Sequence, residues 1–122
     1  MADGAVTGYA AGSTPVSKGV IAVQWTSWAG TTTGIPLTLA AYPDKTVAAH
    51  GTWGGATLVV EGSMDGTNYF TLNDSRGEGN AISLTADNIV TILENPYYVR
   101  CKPTGGTGTA LTVTIVAQSG RR

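Results

Sequence analysis

From Val20 onward the chain alternates with a period of two, the signature of strands rather than helices. "VIAVQWTSW" (residues 20–28) begins apolar on both phases, as a strand covered on both sides does. Trp25 and Trp28 lie on opposite phases, so a regular strand would turn at least one of them away from the core. "IPLTL" aligns Ile35, Leu37 and Leu39, and Pro36 suits a sheet edge or a strand start. "TVAAHGTW" sets Val47, Ala49, Gly51 and Trp53 against Ala48, His50 and Thr52. "ATLVVEG" lines up Ala56, Leu58 and Val60, "AISLT" offers Ile82 and Leu84, and "IVTIL" is apolar throughout. "YYVRCKP" points Tyr97, Val99 and Cys101 inward and Tyr98, Arg100 and Lys102 outward, and "ALTVTIVAQ" sends Leu111, Val113, Ile115 and Ala117 to one face.

Turn chemistry separates these runs: Pro43-Asp44, Gly54-Gly55, Asp65-Gly66, the polar stretch 74–80, the short link "ADN", which has room for one helical turn, and the hairpin loop "TGGTGT". Eight or nine short strands so punctuated predict an all-β fold, an antiparallel β-sandwich or jelly roll. No helix of length is visible, which argues against a βαβ nucleotide crevice. Residues 1–18, "MADGAVTGYAAGSTPVSK", are small and polar without a period. They read as a flexible N-terminal arm with a reach of roughly 60 Å when extended. Val6 and Tyr9 are its candidate anchors on a neighbouring subunit. The sandwich is expected over 19–119, with a short tail at 120–122.

Composition changes the picture in two ways. Charged residues are 12% of the 122, about half the usual share of roughly 25%. Seventeen Gly and nineteen Thr replace them, which suits turns and pleated, half-buried surfaces. So little charge predicts a surface partly covered by a partner. The net charge is −1, and no cluster of Lys and Arg supplies a nucleic-acid surface. No stretch is long and apolar enough for a membrane helix, and none reads as a secretory leader. One cysteine leaves no internal disulfide, as in a protein folded in a reducing compartment or a fold that needs no staples.

The candidate chemistry is thin. Glu61, Asp65 and Asp74 stand close in sequence, but counting from Asp65 puts Tyr69 fifth and Arg76 twelfth, which is not a calcium-loop pattern. Asp-Gly between apolar runs is instead a hairpin signal. His50 and Cys101 form a nucleophile pair only on paper, because Cys101 sits on the apolar phase of its strand. The glycines at 105, 106 and 108 lack the Lys and helix of a phosphate loop. The expectation is therefore no catalytic residue, no metal and no cofactor. Exposed aromatics would serve an interface or a sugar platform. The residues singled out are Trp25, Trp28, Trp53 and Tyr98 with Arg100, beside Val6, Tyr9 and the loop residue Arg76.

The second half carries a resemblance. "GATLVVEGSMDGTNYFTLND", "ISLTA" and "ENPYYVRCKPTGGTGTALTVTIVAQS", covering about residues 55–119, resemble the small β-sandwich structural proteins of tailed bacteriophages, among them head decoration or cement proteins. The resemblance implies a non-enzymatic virion protein. It would be made in the host cytoplasm and bound to the outer capsid surface. As a dimer or trimer on the major capsid protein, it would tie neighbouring capsomers together. The alternative is a carbohydrate-binding module of a tail fibre or adhesin, built on Tyr98 and Arg100 with Trp28 or Trp53.

Overall fold

The computed structural model describes residues 20–28, 33–75 and 80–119. The expected arm, its anchors Val6 and Tyr9, the loop residue Arg76 and the tail lie outside them. The strands are β1 (Val20–Trp28), β2 (Leu37–Thr38), β3 (Asp44–Thr52), β4 (Thr57–Ser63), β5 (Phe70–Thr71), β6 (Ser83–Leu84), β7 (Asn88–Ile92), β8 (Tyr98–Thr104) and β9 (Ala110–Gln118). They form two antiparallel sheets, a β-sandwich as expected. One sheet runs β1-β9-β3-β7; the other runs β2-β8-β4-β5, with β6 also on β4. Pro36 immediately precedes β2, the edge strand of its sheet. The link "ADN" is a bend, with no helical turn.

Alternation sets the core. Val47 and Ala49 of β3, Leu58 and Val60 of β4, Val99 and Cys101 of β8, and Leu111, Val113, Ile115 and Ala117 of β9 all face inward and are buried. Full burial of each large aliphatic side chain stabilises the fold by roughly 1.5–3 kcal/mol. Burial pushes the Cys101 thiol up to about 12, so it sits in the core as an inert small hydrophobe. His50 faces solvent on the other sheet, and the paper pairing with Cys101 does not exist.

Two expectations need correction. Trp25 and Trp28 are both interior, 0% and 1% exposed, and neither is an interface residue on the surface of the sandwich. The strand is not regular between them: Trp25 pairs with Val113 and Trp28 with Leu111, so two residues of β1 oppose one of β9. That bulge shifts the phase by one and returns Trp28 to the core side. The two indoles stack with centroids 5.2 Å apart at 24°. Gly34 closes over Trp28; a Cβ there would lie 2.7 Å from the Cη2 atom of the indole. The second correction concerns "TGGTGT". It joins β8 to β9, which lie in different sheets, so it is an arch over one end of the sandwich and not a hairpin. Thr107 N–H donates to the Gly54 carbonyl, and the Thr109 hydroxyl donates to the Trp53 carbonyl, tying the arch to the turn after β3.

Candidate functional site

Pairing registers place the ends of the strands. Val20, Gln118, Asp44 and Ile92 share one end of the first sheet. Ser63 pairs with Tyr98 and Gly62 with Phe70 at the same end of the second. The chain crosses between sheets there through residues 93–97. The crossing and the loop 64–69 leave a groove of about 600 Å³ between them. Leu72 and Pro96 are buried at its floor; Met64, 76% exposed, and Phe70, 61% exposed, stand at its wall. Gly62 lies under it, and a Cβ there would come within 2.8 Å of the Leu72 Cδ2 atom and clash with the Pro96 ring.

The 64–69 loop is longer than the Asp-Gly turn that the sequence suggests. Six residues separate β4 from β5, and Asp65 organises them. Its Oδ1 accepts from the backbone N–H groups of Thr67 and Asn68, both at 2.9 Å, and from the Ser63 hydroxyl at 2.9 Å. Its Oδ2 accepts from the Asn68 side chain at 2.9 Å. Led by the Asn68 N–H, these donors hold the carboxyl far below the usual carboxylate range, although it is open to solvent. Gly66, at φ 80°, supplies the left-handed residue. Glu61 is paired elsewhere, and Asp74 makes a backbone bridge to Ile92. The acidic stretch is thus a scaffold for a loop.

The other polar groups on the groove are also committed. Glu94 accepts from the Asn73 backbone N–H at 2.8 Å and from the Asn73 side chain. Asn95 accepts from Lys45 Nζ and donates to the Ala40 carbonyl at 3.0 Å. Lys45 is fully covered, and it also donates to the Tyr42 carbonyl at 3.1 Å. Burial pulls its amine down to about 8, against the opposing pull of Asp44. With these donors and acceptors facing each other, what the groove offers an occupant is mainly apolar surface. It suits an aliphatic or aromatic side chain of a protein better than a sugar or a phosphate.

The aromatics named from sequence are scattered. Trp53 is half-buried at the opposite end, and its indole N–H donates to Asp87 at 2.8 Å. That bond is the main reason the Asp87 carboxyl is held below its ordinary value. Tyr98 and Arg100 do face outward on β8. The Arg100 Nε donates to Glu61 at 2.9 Å, and its guanidinium lies 3.6 Å over the Tyr69 ring. Tyr97 does not point inward as the alternation suggests; it is 50% exposed and meets Tyr98 edge-on at 4.7 Å. The strand begins only at Tyr98, so Tyr97 escapes the pleat. The platform of Tyr98 and Arg100 with Trp28 or Trp53 is not assembled, because Trp28 is in the core and Trp53 at the far end. The groove itself went unread in the sequence. Its one available signal was Met64, a large apolar residue inside a polar loop.

No family model and no curated protein matches the chain. Among solved structures, an SPBc2 prophage-derived protein, YomS, is similar at a TM-score of 0.64 and 11% identity, covering 80% of this chain and 93% of that one. An oxalate oxidase (TM-score 0.48, 15% identity) and Peruvianin-I, a cysteine peptidase from Thevetia peruviana latex (0.47, 14%), are more distant. Each is matched over 84% of this chain, which spans 43% and 53% of their lengths respectively. What the likeness to YomS establishes is the fold: this chain has a β-sandwich of the kind found in a prophage-derived protein.

Proposed function

We propose that the chain is a structural protein of a tailed-bacteriophage particle. In this reading it decorates the outside of the capsid as a symmetric homo-oligomer and staples neighbouring capsomers of the major capsid protein. The observation that carries the reading is the apolar end of the sandwich. Leu93 and Tyr97 are exposed there beside the groove, while the adjacent polar groups are bonded to one another. Such a surface fits coverage by protein. The fold shared with a prophage-derived protein and the low charge support it. Each contact can be weak, because several subunits in one oligomer make rebinding intramolecular, and a closed oligomer suits a lattice axis. The test has two parts. Light scattering on a sizing column should give a discrete dimer or trimer. Co-sedimentation with expanded phage shells should show saturable binding that weakens when residues 1–18 are deleted. Binding unchanged by the deletion removes the arm from attachment; no binding at all sinks the reading.

A second reading, a glycan-binding module of a fibre or adhesin, keeps one observation in its favour. Tyr97 and Tyr98 form an exposed aromatic corner at the same end as Arg100 and Tyr69. A glycan array that stays blank removes it.

A further inference from the structure

The groove opens at the end of the sandwich from which the N-terminal segment departs. Val20 pairs with Gln118, Gln118 with Asp44, and Lys45 with Ile92, so the start of β1 lies at the groove's end of its sheet. From β1 to β7 is three strand spacings, about 15 Å. Residues 1–19 precede β1, and eleven residue steps separate Tyr9 from Val20, roughly 35 Å when extended. The segment therefore has more than enough chain to cross that end. Its charged side chains are Asp3 and Lys18, and its larger apolar ones include Val6 and Tyr9 among Gly, Ala, Ser and Thr. The groove asks for such an occupant. Its carboxylates and its amides are bonded to their own neighbours, so selection falls to apolar contact with Phe70, Leu72 and Pro96. An aromatic ring can enter there and leave a hydroxyl at the polar rim.

We propose that this groove is the seat of the chain's own N-terminal segment, residues 1–19, with Val6 and Tyr9 as the side chains that enter it. The proposal rests on the groove and on where the segment begins, and not on the virion reading; it stands if the chain never meets a capsid.

The test uses the full chain with a photo-cross-linking benzoylphenylalanine in place of Tyr9. After illumination and digestion, mass spectrometry should find the cross-links in residues 64–72 and 93–96. Met64→Lys and Phe70→Lys each alter an exposed side chain, so the sandwich should still unfold cooperatively, its midpoint lowered by no more than in a chain lacking residues 1–19. Each should lower the cross-link yield at least about fivefold, the scale expected from losing one buried apolar contact. Mixing light with 15N-labelled chains tells whether the segment comes from the same copy or a second one; either origin seats it in the groove. Cross-links that fall elsewhere on the sandwich, the absence of any, or groove links indifferent to both lysine variants overturn the proposal.

Discussion

Lys45 shows how one buried side chain sets a pH dependence. Its amine is pulled from 10.5 to about 8, chiefly by burial, so between those values the folded chain binds fewer protons than the unfolded one. Stability should therefore rise with pH across that window. The expected outcome is a gain in unfolding free energy from pH 8 to 10 that the Lys45→Met variant lacks, read from denaturant curves of both chains. Gly62 is a question of space. Gly62→Ala pushes a methyl group against Leu72 and Pro96, and overpacking of this kind costs about 1–3 kcal/mol; a drop in the denaturation midpoint of matching size checks it. Asp65→Ala should leave the global midpoint nearly unchanged and speed amide exchange at Thr67 and Asn68, whose N–H groups the carboxylate holds. Unchanged protection at both amides would show that the loop does not depend on that side chain.

Between elements, the two-residue period was an accurate guide wherever the pleat continued. Leu58, Val60, Val113 and Ile115 are inside because alternation put them there. It failed where the pleat was interrupted: at the bulge that restores Trp28 to the core, and just before β8, where Tyr97 turns outward. Periodicity carries no marker for an extra residue, so phase errors begin there. The arch 105–109 was misread for another reason. Glycine-rich turn chemistry announces a reversal of direction but not which sheet receives the next strand. The bulge makes a test of its own. Deleting Ser27 removes the extra residue and keeps both indoles on the core side, so tryptophan emission should stay that of a buried ring and the chain should still fold. Deleting Thr114 from β9 flips the phase of Ile115 and Ala117 and should abolish cooperative unfolding.

For the whole molecule, the class of fold was legible and the site was not. A groove is made by loops from distant parts of the chain: 64–69 after β4 and 93–97 after β7 meet only once the sheets are stacked. No local pattern encodes such a meeting, whereas each strand's alternation is local. Topology also has a bearing on time. In the first sheet, β9 lies between β1 and β3, so the first and last of the described strands are neighbours, and β3 is joined to β1 only through β9. Until β9 emerges during synthesis, that sheet is open down its middle, its inward faces unpaired. Closure waits for β9, and its non-local pairings put it among slowly folding topologies. A nascent chain stalled before Ala110 has the sequence for most of the core and no means of closing it.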